Sequence, residues 1–137
     1  MTVMTSSAPA ETRGQIRLVE PLPGFARHTE WTLTPIDAGG VLHSLRSVDD
    51  PGLRFVLTPA AVYFPDYDCS FATVVAPSLG GDDLDVMLML TVGSSLQTAT
   101  ANLRAPIVIC RSTGRAVQVV LDEPALSMRC PLVAEAV

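Results

Sequence analysis

Ile107-Val-Ile-Cys-Arg-Ser-Thr-Gly-Arg-Ala-Val-Gln-Val-Val-Leu121 decides the reading of the fold. Two apolar, β-branched runs, Ile107–Cys110 and Ala116–Leu121, flank the polar turn Arg111-Ser-Thr-Gly-Arg115, whose glycine supplies the positive φ of a tight reversal. The stretch is a β-hairpin. Just upstream, Leu84–Val92 is apolar on both faces, which predicts a strand covered on both sides, as inside a small barrel or sandwich. Further towards the N-terminus, Gln15–Val19 alternates polar and apolar, and Trp31–Thr34, Val41–Leu45 and Leu53–Leu57 are short strand-like runs. Asp37-Ala-Gly-Gly40 and Asp49-Asp-Pro-Gly52 separate them with turn chemistry, and Pro21-Leu-Pro-Gly24 permits neither ladder nor helix. Tyr67–Phe71 reads as another strand. Helices are expected to be short: Thr58–Val62, with Thr58 as N-cap and Pro59 at the first helical position, and Phe25–Glu30. The expected fold is therefore all-β, a small antiparallel β-barrel-like single domain with short helical turns. Residues 1–14 read as a disordered leader and 15–137 as the domain.

The chain has 137 residues, 48% hydrophobic and 17% charged, enough apolar surface for one core and too much for a disordered protein. Its formal charge is −5, and all nine basic residues are arginines scattered from Arg13 to Arg129. That distribution offers no phosphate-tracking face, and two tyrosines, four phenylalanines and one tryptophan make no stacking platform, so nucleic acid is not expected as a direct partner. The acidic balance suits solubility or a basic protein partner. The longest apolar run, Val86–Val92, is a strand's length, which argues against a membrane span. Met1–Ala10 has neither the basic nor the apolar region of a signal peptide, so a cytoplasmic location is expected. Cys69, Cys110 and Cys130 fit neither a disulfide framework nor zinc pairs, and each reads as a small buried hydrophobe.

Catalytic patterns are scarce. His28 and His43 have no ligand-spaced neighbours, and His43 is expected to face solvent opposite Leu42 and Leu45. Asp82, Asp83 and Asp85 follow Gly80-Gly81 but lack the fixed oxygen series and closing glutamate of a calcium loop. No metal site and no cofactor is expected. Asp66 and Asp68 flank Tyr67, and on a strand that spacing would put both carboxylates on one face. An acid/base pair also needs one carboxyl perturbed by burial in a cleft, which sequence does not supply. The expectation is a non-enzymatic protein.

Several longer strings remain: Pro21-Leu-Pro-Gly-Phe25, Ser47-Val-Asp-Asp-Pro51, Leu53-Arg-Phe-Val56, Tyr63-Phe-Pro-Asp-Tyr67, Thr98-Ala-Thr-Ala-Asn-Leu-Arg-Ala-Pro-Ile-Val-Ile109 and Gln118-Val-Val-Leu121. In this order and spacing they resemble the bacterial flagellar assembly factor FliW family, from about Ile16 to Leu132. The resemblance implies a small antiparallel β-barrel-like fold, no catalysis, and protein binding as the activity. It also implies two mutually exclusive partners: newly made flagellin, and CsrA, a small basic RNA-binding repressor of flagellin translation. The pattern breaks over Ala72–Gly81, where the family's charged helix-like stretch is replaced by Thr73-Val-Val-Ala-Pro-Ser-Leu-Gly80, a sequence expected to break a helix.

The candidate partner-binding residues are Phe64, Pro65, Asp66, Tyr67 and Asp68, together with Thr100, Asn102 and Leu103. Aromatics beside a proline form a pre-ordered anchor, or else pack the core; Asp66 and Asp68 are placed to meet arginines of a basic partner. Asn102 can satisfy backbone groups where the chain leaves a ladder, or form with Thr100 and Leu103 part of an exposed docking edge. Two alternatives stay open: an interaction scaffold whose partner is unrelated to motility, and a small-molecule-binding barrel or hydrolase using Asp66 and Asp68. A pocket lined by both carboxylates, with raised pKa values, would favour the last.

Overall fold

The computed structural model describes residues 14–92 and 96–132. Of the expected leader, 1–14, residues 1–13 lie outside the described residues, and Gly14 opens the first strand. In chain order the elements are β1 (Gly14–Leu18), β2 (Glu30–Pro35), β3 (His43–Ser47), β4 (Arg54–Pro59), α1 (Ala60–Tyr63), α2 (Phe71–Leu79) and β5 (Leu84–Thr91). They continue with a 3-10 turn (Leu96–Thr98), β6 (Thr100–Ala101), β7 (Ile107–Cys110), β8 (Arg115–Gln118) and β9 (Cys130–Pro131). The strands run β4-β3-β2-β1-β8-β7-β5, and pairing of β5 with β4 closes them into a seven-stranded barrel. Every pair is antiparallel except β1–β8.

The hairpin forms as its sequence demands, with Val108 opposite Val117 and Ile109 opposite Ala116. Gly114 turns it at φ 74°, and a Cβ there would lie 2.7 Å from the Gln15 carbonyl oxygen. Glycine is thus required for the turn to lie against β1, where the Arg17 N–H donates to the Gly114 carbonyl at 2.8 Å and the barrel closes.

The barrel interior is filled by Ile16, Leu18, Trp31, Leu33, Leu45, Leu57, Met87, Ile107, Ile109 and Ala116. Leu22 joins them, and Phe25 and Phe55 pack against the same core. The expected two-sided burial of β5 is present. Met87 faces inward, whereas Leu88 and Leu90 join a second cluster with Ala60, Ala99, Ala101 and Leu132 outside the barrel wall. Val108, Cys110 and Val117 join a third cluster with Ala72 and Leu79 of α2.

Several local expectations are corrected. Ala72–Gly81 holds a nine-residue helix, α2, despite Pro77. Ala72, Ala76 and Leu79 recur on one buried face, and complete burial of Leu79 is worth roughly 1.5–3 kcal/mol, comparable to the interior-proline cost of about 3 kcal/mol. Pro77 also sits near the C-terminus, where Gly80 in the left-handed conformation returns its N–H to the Ala76 carbonyl and ends the helix. Helix α1 starts at Ala60 without a side-chain cap, because the Thr58 hydroxyl is buried and donates instead to the Val41 carbonyl at 2.8 Å.

Phe25–Glu30 is not helical but a pair of turns, fixed by Phe25 N–H to Leu22 and His28 N–H to Phe25 carbonyl bonds. Tyr67–Phe71 is not a strand; it leads into α2, so the one-face argument for Asp66 and Asp68 does not apply. His43 is 1% exposed, not solvent-facing, because it shares the inward parity of Leu45, whereas Leu42 and Leu45 lie on opposite faces. Cys110 is buried as expected, but Cys69 and Cys130 are only half-buried. No helix among the described residues is long and apolar enough to cross a membrane.

Candidate partner-binding site

The two candidate strings, distant in sequence, meet in space. Tyr67 donates its phenolic hydroxyl to the Leu103 carbonyl at 2.6 Å, and Phe64, Tyr67 and Leu103 pack on the second apolar cluster beside Leu88 and Leu90. Pro59 and the short α1 carry the chain off β4 and set Phe64 over this cluster. Phe64–Tyr67 then forms a turn closed by the Tyr67 N–H to Phe64 carbonyl bond at 3.0 Å, which leaves Pro65 and Asp66 exposed at its tip. Phe64 and Leu103 are half-buried and structural in contact; Pro65 and Asp66 stand outside the packing.

Asn102 marks the point where the chain leaves β5's edge. Its N–H donates to the Met89 carbonyl, and its side-chain oxygen accepts the Arg104 N–H at 3.0 Å, turning the backbone outward. Thr100, half-buried in β6, pairs with Thr91 and Pro131. These residues hold the edge in place rather than expose it.

The outward turn aims Arg104 at residues that sequence reading missed. Its guanidinium donates to the Leu126 carbonyl at 3.2 Å and the Pro124 carbonyl at 3.0 Å, while the Leu121 N–H donates to the Arg104 carbonyl. The segment Leu121–Leu126 is thereby drawn alongside the start of α2. Between them lies a hollow of about 390 Å³, with Tyr67, Asp68, Ser70 and Phe71 on one wall and Leu121, Asp122, Glu123 and Leu126 on the other. Tyr67 and Phe71 meet edge-to-face, 6.1 Å between centroids, so the hollow has an aromatic wall and three carboxylates. The sequence signal for the second wall is Asp122-Glu123-Pro124, an acidic pair before a proline directly after a strand run, which becomes informative only once Arg104 has folded it back.

The titration of this region follows its contacts. Asp68 is exposed and accepts the Ser70 N–H at 2.9 Å; hydrogen bonding to Ser70 holds its carboxyl below the usual carboxylate range. Burial, with a smaller contribution from Cys69, pushes the Tyr67 phenol up to about 12, so it remains a hydrogen-bond donor at neutral pH. Burial and Asp68 raise the Cys69 thiol, which disfavours its thiolate. Asp66 does not line the hollow. A hollow containing only one of the two carboxylates, with its pKa lowered, is the opposite of what a hydrolytic acid/base pair needs.

Residues 2–132 match the family model described as FliW protein. The chain belongs to the FliW family. It is 32% identical over 114 residues to the flagellar assembly factor FliW of Shouchella clausii (strain KSM-K16), covering 81% of this chain and 78% of that protein. Identity to the flagellar assembly factor FliW of Bacillus subtilis (strain 168) is 30%, over 86% of this chain and 85% of the relative. For that of Syntrophotalea carbinolica the identity is 32%, over 96% of each chain. The fold matches a crystal structure of the flagellar assembly factor FliW with a TM-score of 0.76 and 28% identity, covering 98% of this chain and 93% of the other. The sequence-level resemblance and the expected barrel therefore both hold.

Proposed function

We propose that this FliW-family protein acts without catalysis in the cytoplasm, binding newly made flagellin as a chaperone and, in its absence, sequestering the basic translational repressor CsrA. One observation carries the reading: the hollow at Tyr67 and Phe71 sets Asp68, Asp122 and Glu123 around an aromatic wall. Carboxylates at a water-facing rim accept bidentate hydrogen bonds from arginine, and a guanidinium also stacks favourably on aromatic faces, so the hollow suits a basic side chain. Carboxylates there would compete with RNA phosphates for the repressor's cationic surface. The overall charge of −5 would steer the encounter.

Flagellin, with amphipathic helical ends, is assigned to a separate apolar groove of about 540 Å³ whose lining includes Val41, Ala61, Val62 and Val86. Val62 is 47% exposed, a large apolar side chain kept in water at the groove's rim. Asp66, Pro65 and the Phe64–Asp68 turn lie between helix α1 and α2 in the chain and would transmit or share contacts with either partner.

Size-exclusion chromatography of the purified protein with flagellin and with CsrA tests the proposal. Co-elution with each, and displacement of CsrA by excess flagellin, is expected. If neither partner binds at micromolar concentration in low salt, the reading fails; binding of both without displacement removes the competition.

A further inference from the structure

The outer face of the opposite wall carries the reverse charge. Arg46 on β3 and Arg54 on β4 are directly opposite each other in the ladder, where like charges repel and cost stability. Two other arginines do have carboxylate partners, Arg17 with Glu30 at 2.9 Å and Arg111 with Asp85 at 3.5 Å. Among the described residues no carboxylate lies within ion-pair distance of Arg46 or Arg54. In a chain of charge −5, these two like charges face each other across the ladder.

The same two residues line an open groove of about 500 Å³ across β1–β4, with Thr32 opposite Arg46 on β2, Ser44 beside it on β3, and Ile36 and Val48 also in the lining. Ser44 is 5% exposed, and its hydroxyl oxygen has no hydrogen-bond partner among the described residues. A buried hydroxyl left unsatisfied is costly, and this one sits two residues from Arg46 on the same strand face. Ile36 and Val48 are 50% and 47% exposed. Paired guanidiniums, an unused hydroxyl and flanking apolar side chains are the complement of a carboxylate-bearing segment with apolar neighbours.

We propose that this groove docks an acidic, partly apolar peptide segment of a partner protein, a site separate from the acidic hollow and independent of the function proposed for it. Each of β1–β4 is paired on both edges, so the segment is held by side chains and not by strand addition. A polyanion such as nucleic acid is disfavoured, because two arginines cannot offset repulsion from the remaining charge.

The test is fluorescence polarisation of the full-length protein with a labelled decapeptide of alternating glutamate and valine, and with its lysine-valine counterpart. The glutamate peptide is expected to saturate the protein below about 1 mM. Its affinity should fall at least about tenfold in Arg46→Gln/Arg54→Gln, the loss of one charge-assisted hydrogen bond, and stay unchanged in Asp68→Asn/Asp122→Asn/Glu123→Gln. The double arginine variant relieves a like-charge pair, so an unfolding midpoint no lower than the parent's confirms that it is folded. No binding of the glutamate peptide, or binding insensitive to the arginine changes, overturns the proposal. Binding that appears only after deletion of residues 1–13 makes the N-terminal segment the occupant and overturns it too. So does tighter binding of a ten-nucleotide single strand.

Discussion

On β1–β4 the outward positions include Gln15, Thr32, Thr34, Ser44, Arg46 and Arg54, whereas on β5, β7 and β8 they include Leu84, Val86, Leu88, Leu90, Val108, Cys110 and Val117. Both halves fill the barrel with the same kind of side chain, Leu33 and Leu45 on one side, Met87 and Ile107 on the other. They differ in what lies outside. The first half alternates and leaves much of its outer face to water, with Gln15, Thr34, Arg46 and Arg54 exposed while Leu42 and Val56 join the second cluster; the second half is covered by α1, α2 and the chain around Leu132. The additional layer places the Phe64–Phe71 segment, and with it the acidic hollow, over a rigid double-packed wall, while the bare half keeps a basic groove open.

The widest gap between the halves is energetic. Leu88→Ala empties a fully buried position on the covered face and should lower stability by about 2–5 kcal/mol, while Thr32→Ala on the bare face should stay within about 0.5 kcal/mol. Paired urea melts measure both; equal effects would erase the distinction.

Pro77→Ala probes the covering layer itself. The new N–H can complete the bond to the Thr73 carbonyl in α2, and stability should rise by about 1 kcal/mol in the same melts. A loss would mean that the proline ring is a packing element.

Tyr67→Phe breaks the link between the two candidate strings and should cost about 0.5–1.5 kcal/mol. The pH dependence has a definite sign. Since the phenol's pKa is raised from 10.0 to about 12 in the fold, its contribution is complete below pH 10 and lost as pH climbs through about 12. Tyr67→Phe should flatten that part of the stability curve. In Tyr63→Phe, which leaves Tyr67 as the sole tyrosine, phenolate absorbance should appear with a midpoint near 12.

The strands of the bare half were legible because alternation and Asp/Gly/Pro turns are local signals, as in Trp31–Thr34 followed by Asp37-Ala-Gly-Gly40. Leu84–Val92 was legible for a different reason, since apolar residues fall on both of its faces and leave neither wet over Val86–Leu90. The layer that covers it was not. Pro77 hid the helical period of Ala72, Ala76 and Leu79, whose stability comes from β7 and β8 rather than from its own sequence. His43 was misplaced because one polar residue in a short strand was weighed above the parity of its neighbours.

In the candidate site, Tyr67 and Asp68 were found from a local aromatic-proline-acid string, and both line the hollow. Asp122 and Glu123 reach it through the Arg104 side chain, whose bonds span 20 and 22 residues, and through the Leu103 N–H to Ser127 carbonyl bond, relations no local pattern carries. Asn102 meets the backbone-satisfying half of its reading, since it turns the chain that points Arg104 at them.

The most direct measurement is isothermal titration of CsrA into the parent protein and into Asp68→Asn/Asp122→Asn/Glu123→Gln at low salt. Asparagine at position 68 still offers an oxygen to the Ser70 N–H, so the fold is kept while three charges are removed. Affinity should fall at least about tenfold, and the salt dependence of binding should flatten. Unchanged affinity and salt dependence in a folded triple variant would contradict the assignment of the acidic hollow to a basic partner.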